Sequence, residues 1–419
     1  MWSEDLLFFL AQFTIYLHTE EMKNEIERIY LDHASATPID DEVCEYMNSL
    51  FKEKFGNPGA LHKEGVNARL ELINARKKIA DAIGAHPDEI IFTSGATEAN
   101  NLAIFGALMS FRNQYEGVTP EIIVSAIEHS SVLEVVRRLG DEGVIVHEVL
   151  PDATGIVNVD DIKKLLNDNT ALVSLMYANN EIGTIQPLSE VGKIIEHHNK
   201  TSPRIARMHT DAAQAGNYLD MHVPRLHVDL MTISGAKVYG PKGVGALYIR
   251  RGTFLTPLFY GGSQEMGIRP GTENVPLIAS FALAFHKARE LAASESDRLT
   301  KLRNHFIEEV LKKIPDAILM GDSKERLPNN VSFWFPGISG ETLVIMLDAK
   351  GVAVSSRSAC ETGSVDGSHV IMALGRSGQD ATEVIRMGLG RGTTKEMIEK
   401  TVHILSECVA HIRLTKEIK

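Results

Sequence analysis

The chain has 419 residues, 43 Lys and Arg against 55 Asp and Glu, a formal net charge of −12 and 44% hydrophobic residues. An acidic balance without basic blocks argues against nucleic acid or an anionic membrane surface as the main partner, because both are met by clustered Lys and Arg. Three scattered cysteines, Cys44, Cys360 and Cys408, exclude a disulfide framework and a CxxC metal site and fit a reducing, cytoplasmic setting.

The apolar run Leu6 to Leu17 (LLFFLAQFTIYL) is short for a membrane span, and Glu4 and Asp5 precede it where a secretory signal carries basic residues. Residues 1–21 read as an appendage, either preceding a true start at Met22 or forming a surface helix. Leu72, Ala75, Ile79 and Ile83 then recur at helical spacing, Glu89–Ser94 (EIIFTS) predicts a strand, and Glu98–Leu108 predicts a helix. Ile122–Ala126, Gly143–Leu150 and Ala171–Ala178 predict buried strands, with helices around Ser131–Leu139, Asp160–Leu166 and Leu188–His198. Strand-like segments at Arg204–His209, Asp229–Ser234 and Gly245–Ile249 extend the alternation. It implies an α/β fold with a mostly parallel sheet, helices on its faces and functional groups on loops at strand ends. A long charged helix over Phe281–Ile314 opens a stretch without that regularity. Residues 46–285 are therefore assigned to a large domain, and 22–45 with 286–419 to a smaller one.

Two segments carry candidate chemistry. Phe92–Asn100 (FTSGATEAN) reads as strand, Gly-containing turn and helix start, where backbone N–H groups and the Thr97 hydroxyl suit a phosphate; taken alone it is better read as a plain turn with Thr97 as helix cap. Asp211, in HTDAAQ, ends one strand, and Lys237, in SGAKVYGPKG, follows the next. Pyridoxal phosphate needs that pair, an acid to keep its pyridinium nitrogen protonated and a lysine for the Schiff base. A competing reading makes His209 and Asp211 half of an iron facial triad, but it requires a second histidine and gives the lysine loop no role.

Seven motifs occur in one order: TSGATEANN (93–101), EHSSV (128–132), ANNEIGTIQP (178–187), HTDAAQ (209–214), SGAKVYGPKGVGALY (234–248), GGSQEMGIRPGTENV (261–275) and SSRSAC (355–360). Together they resemble the NifS/IscS-type cysteine desulfurases from about residue 29 to about residue 405. The resemblance implies a PLP-dependent transferase type I fold (class V aminotransferase), with a large mainly parallel-sheet α/β/α domain and a smaller α/β domain. It also implies a homodimer that uses pyridoxal 5'-phosphate, takes L-cysteine and passes sulfur to an acceptor protein, with no metal. The sulfur's destination stays open between iron–sulfur clusters and tRNA thiolation.

Carried over by position, Lys237 resembles the Schiff-base lysine, Asp211 the partner of the ring nitrogen, Gln214 a donor to the ring hydroxyl and His129 the stacking histidine. Ala96, Thr97 and Ser234 resemble the phosphate cradle, and Thr272 resembles the threonine that reaches the neighbouring subunit's phosphate. Asn180 and Arg386 resemble the groups that hold the substrate carboxylate, a task suited to the bidentate guanidinium. Cys360, within small and polar residues, resembles the thiol that takes sulfur as a persulfide, whereas Cys44 and Cys408 lie in helical patterns as small core residues. Ala236 departs from the family, which carries histidine before the lysine. That departure leaves room for a catalytically impaired scaffold, and the cofactor motifs on their own would equally serve a selenocysteine lyase or another class V PLP enzyme.

Overall fold

The computed structural model describes residues 28–356 and 367–417. Its apolar runs become strands for the reason the sequence suggests: short β-branched segments that bury both faces belong inside a helix-covered sheet. A short strand β1 (Ile29–Tyr30) precedes β2 (Ile90–Thr93), β3 (Glu121–Ser125), β4 (Ile145–Val149), β5 (Thr170–Ser174), β6 (Arg207–Asp211), β7 (Leu230–Ser234) and β8 (Gly245–Ile249). The last seven form one sheet in the order β2-β8-β7-β6-β5-β3-β4. Pairing is parallel from β4 through β7, and β8 runs antiparallel to both β7 and β2. Every residue of β3, β5, β7 and β8 is buried, while the edge strand β4 is largely open. The run expected over Ala171–Ala178 forms the named strand as far as Ser174, and the N–H groups of Leu175 and Tyr177 continue to donate to the His209 and Asp211 carbonyls at 3.1 and 2.9 Å before an isolated bridge joins Ala178 to Ile185.

Apolar stripes cover the sheet on both sides. Leu72, Ala75, Ile79 and Ile83 of the helix Lys63–Ile83 share one core with Val173, Met231 and Ala246. Leu102, Leu108 and Phe111 of the helix Ala96–Gln114 share another with Ile122, Val124 and Leu172. A third core surrounds an antiparallel sheet of β9 (Ile318–Leu319), β10 (Asn330–Trp334) and β12 (Val384–Gly388), and β11 (Val352–Ala353) pairs in parallel with β1.

The helix Val275–Lys313 packs its first half into the large-sheet core and its second half, through Leu299, Phe306 and Val310, into the third. It starts before the predicted Phe281. Asn274 caps it by accepting from the N–H of Leu277, and Pro276 sits in its first turn, where a missing N–H costs nothing. Among the described residues no helix is long and apolar enough to cross a membrane.

Because β2 and the parallel strands β3, β5, β6 and β7 all end at the same edge, each delivers its next few residues to one place. The chemistry gathers there.

Candidate active site

A cavity of about 280 Å³ opens at those strand ends. Its wall includes Ala96 and Thr97 after β2, His129 after β3, Asn180 after β5, Asp211 and Gln214 at the end of β6, Ser234 and Lys237 at the end of β7, and Arg386 from β12. Nine of the sequence-predicted site residues thus line one cavity, although they are scattered along the chain.

At one end the helix Ala96–Gln114 begins without a side-chain cap. Its N-cap is Gly95, not Thr97; the turn needs φ 148 there, a conformation open to glycine. The neighbouring strand demands a glycine too, since a Cβ on Gly245 would lie 2.9 Å from the Gly95 backbone. The uncapped N-terminus, with the Thr97 and Ser234 side chains in the same wall, gives an anion backbone donors, hydroxyls and a favourable helix dipole. Glu98 turns away from this task. Burial pushes its carboxyl up, but hydrogen bonds from Arg269 and Ser94 hold it below its ordinary value and keep it ionised.

Lys237 ends a short 3-10 turn, Gly235–Lys237, directly after β7. The loop is fixed from outside: Asn217 Nδ2 donates to the Lys237 carbonyl at 2.6 Å, and Thr37 donates from its N–H and hydroxyl to the Ala236 carbonyl, both at 3.1 Å. Tyr239, two residues on, takes φ 61, outside the usual range for an aromatic residue, and its N–H donates to Thr37 Oγ1 at 2.8 Å. The Lys237 ammonium donates to the Ser35 carbonyl.

Asp211 is buried, with Oδ1 accepting from the Ala213 N–H at 2.9 Å and Oδ2 from Asn100 Nδ2 at 2.7 Å. Gln214 Nε2 donates to the Ala34 carbonyl at 3.0 Å. Glu128, beside His129, is wholly buried. Burial drives its carboxyl well above the ordinary value against the N–H donated by Met176, and the nearby Asp211 charge adds to the rise. Asp211 and Glu98 are the two acidic side chains that line the cavity among the described residues.

Arg386 is 2% exposed and reaches the cavity from β12. One arm pairs with Asp32 at 2.8 Å and donates to Ser35 Oγ at 2.5 Å, and the other donates to the Asn180 carbonyl at 3.1 Å. Its buried Nε has no hydrogen-bond partner among the described residues. An unpaired donor on a buried cation suits an anionic ligand group, because leaving it unmet carries a desolvation cost.

These features fit pyridoxal phosphate: a phosphate-accepting helix end, a carboxylate on the floor, a lysine in the wall and an orphaned guanidinium N–H for a bound anion. The resemblance also implies histidine where Ala236 stands, and a hydrogen bond to a charged group contributes roughly 1.5–3 kcal/mol. Ala236→His should therefore slow cofactor loss on dialysis by about ten- to a hundred-fold without changing the product. Equal release rates in both forms would show that another residue already supplies that contact.

His209 serves the sheet instead. It is fully buried, with Nδ1 at 2.8 Å from Ser174 Oγ and Nε2 at 3.3 Å from Thr232 Oγ1, and among the described residues no group of three His, Cys, Asp or Glu could hold a metal. Burial lowers its pKa from 6.5 to about 4. A depressed histidine favours folding at pH values above 6.5 and loses that contribution as pH falls toward 4, because the unfolded state takes the proton first. The loss is roughly 3 kcal/mol. Urea unfolding near neutral pH and near pH 4, for the natural chain and His209→Gln, should show a shallower acid decline in the variant; parallel declines would remove the assignment.

Thr272 is exposed, away from the cavity wall, between the turn Gln264–Gly267 and the helix Val275–Lys313. Cys360 lies outside the described residues. Cys408 is buried as expected, but Cys44 is only partly so: its helix, Asp41–Glu53, turns Val43 and Leu50 inward instead. Sequence reasoning missed Ser35, Asp32, Asn100 and Ser131. Asn100 and Ser131 lie inside recognisable motifs, yet only the fold shows that they touch.

A family model for aminotransferase class V matches residues 29–401. The chain is 44% identical over 398 residues to cysteine desulfurase IscS of Dictyoglomus turgidum, covering 95% of this chain and 98% of that protein. It is 40% identical to the enzyme of the same name from Methanosarcina thermophila, covering 94% and 95%. Among solved structures it is similar to a NifS-like protein, with TM-score 0.84 and 35% identity over 92% of this chain and 100% of that one. It is also similar to SspA in complex with cysteine, with TM-score 0.73 and 33% identity over 86% and 98%. The shared fold and near full-length identity leave one assignment: the chain belongs to the aminotransferase class V family and, within it, to the pyridoxal phosphate-dependent cysteine desulfurases.

Proposed function

We propose that this cavity converts L-cysteine to L-alanine and that Cys360 receives the sulfur as a persulfide for an acceptor protein. The observation that carries the assignment of roles is the convergence of Lys237, Asp211, His129, Arg386 and an uncapped helix N-terminus on one cavity. Bound pyridoxal phosphate supplies an electron sink conjugated to the substrate's Cα. The protein groups do the rest. Arg386 and Asn180 hold the substrate carboxylate, Asp211 keeps a proton on the ring nitrogen, His129 covers the ring, Gln214 meets the ring hydroxyl, and Lys237 moves the proton at Cα. Ala96, Thr97 and Ser234 hold the phosphate.

In the sulfur step the Cys360 thiolate attacks the substrate sulfur. The Cβ–Sγ bond breaks, an S–S bond forms, the sulfur is oxidised to the sulfane level, and the reduced carbon skeleton takes a proton at Cβ. Cysteine and a thiol thus become alanine and a persulfide with no external oxidant.

Both ends of the Cys360 segment support this placement. Before it, Ser355 pairs with Arg386, the two exchanging N–H bonds at 3.1 and 2.6 Å. After it, Ser368 Oγ donates to Glu181 at 2.6 Å, and the His369 ring lies 2.9 Å from the Glu128 carbonyl. Glu181 follows Asn180, and Glu128 precedes His129.

The active unit is a homodimer in which Thr272 reaches the neighbouring phosphate. The exposed Phe254 (75%), Phe259 (54%) and Tyr260 (85%), upstream of Thr272, supply apolar surface for the second copy. Incubating purified protein with L-cysteine and a reductant, then measuring sulfide and alanine together, tests the reaction. Equimolar products are expected. A keto acid, or turnover of selenocysteine alone, would move the chain to another class V reaction, and no turnover with cofactor bound would leave a scaffold.

A further inference from the structure

Two buried side chains join the floor of the cavity to its wall, and the reaction scheme above gives neither a role. Asn100, in the second turn of the helix Ala96–Gln114, is 0% exposed. Its Nδ2 donates to Asp211 Oδ2 at 2.7 Å and to Ser131 Oγ at 2.8 Å. That amide orientation is forced, since the reverse would set a carbonyl oxygen against a carboxylate. Its Oδ1 is buried without a partner among the described residues, so the position holds an amide for its two donors at the expense of its acceptor. The Ser131 hydroxyl, having accepted from Asn100, has its proton free for His129 Nδ1 at 2.8 Å, and the Ser131 N–H points to the same nitrogen at 3.1 Å. With two donors on Nδ1, the ring proton sits on Nε2 and the plane of the imidazole is fixed.

We propose that Asn100 and Ser131 are positioning residues that link Asp211, beneath the cofactor ring nitrogen, to His129, against the ring, through one continuous hydrogen-bond chain. The inference rests on the roles given above to Asp211 and His129. The chain orients the carboxylate through Asn100 and fixes the plane and tautomer of the imidazole, so both contacts to the ring are set before substrate arrives. A charge-bearing acceptor at one end strengthens the donors along such a chain.

The test uses the full-length holoprotein and the variants Ser131→Ala, Ser131→Thr, Asn100→Leu and the Ser131→Ala/Asn100→Leu double variant. The readouts are the visible absorption of bound pyridoxal phosphate across pH, kcat and KM for L-cysteine, and the melting temperature. Ser131→Ala is expected to keep its cofactor and melting temperature, shift the pH midpoint of the absorption band, and lower kcat by roughly ten-fold with KM within about two-fold. Ser131→Thr, which retains the hydroxyl, should restore both. The double variant should be no worse than the poorer single one, because cutting a chain twice adds little. Overturning results are an unchanged band and kcat in Ser131→Ala, equal behaviour of Ser131→Ala and Ser131→Thr, or additive losses. If Asn100→Leu fails to fold, the Ser131 pair still decides. Failure of the proposed reaction itself looks different: the natural chain would show no cofactor band or no turnover of L-cysteine.

Discussion

Lys237→Ala is expected to leave a folded protein that no longer fixes pyridoxal phosphate covalently and has no measurable turnover. Borohydride treatment should attach a pyridoxyl group to the natural chain at Lys237 and nothing to the variant. The expectation rests on place. Among the described residues Lys237 is the single lysine in the cavity wall, and Lys242, five positions on, is exposed to solvent. The loop stays in position without the ammonium, since Asn217 and Thr37 grip its backbone and the Tyr239 hydroxyl accepts from the Arg391 N–H at 2.7 Å. Little stability is at stake because the side chain is outside the hydrophobic cores. What would disappear is the amine proposed to tether the cofactor and move the proton at Cα, two functions that no second lysine of the described wall can take over. If Lys242→Ala, and not Lys237→Ala, removed the pyridoxyl attachment, the assignment of the loop would be wrong.

Lys237 and Asp211 were legible in the sequence because each sits at the end of a short apolar run, and parallel sheets gather such ends at one edge. The strand–turn–helix around Gly95 was legible for the same reason, though its cap was misplaced by two residues: backbone at φ 148, not a hydroxyl, makes that turn. Periodicity missed the start of the helix Val275–Lys313 because its first turn is built from capping and proline geometry. Side-chain partnerships across the fold leave no local trace. Nothing in the spacing of residue 32 from 386 announces their ion pair, nor that Asn100 would bridge β6 to the helix Ser130–Asp141. Ser35 and Thr37 illustrate the same limit, since Ser35 meets Lys237 and Arg386, and Thr37 meets Ala236, only through contacts between distant parts of the chain.

Cys360→Ser should separate binding from chemistry. The variant is expected to hold its cofactor and respond spectrally to L-cysteine, since Lys237, Arg386 and Asp211 are untouched. It should release sulfide more slowly by on the order of a thousand-fold or more, because a hydroxyl cannot attack the substrate sulfur to form the S–S bond of a persulfide as the Cβ–Sγ bond breaks. Reach supports the assignment: Cys360 lies four residues past Ser356, and four extended residues span at most roughly 14 Å. That length starts beside Arg386, to which Ser355 is paired. The other two thiols are poor substitutes. Cys408 is 0% exposed in the third core, where burial pushes its thiol up and away from the nucleophilic form. Cys44 lies on the helix Asp41–Glu53, outside the cavity wall. Mass spectrometry of the natural chain after brief exposure to L-cysteine should therefore find one extra sulfur atom on the peptide containing Cys360. An extra sulfur on the Cys44 or Cys408 peptide, or full sulfide release by Cys360→Ser, would assign the transfer to a different group and leave Cys360 without a role.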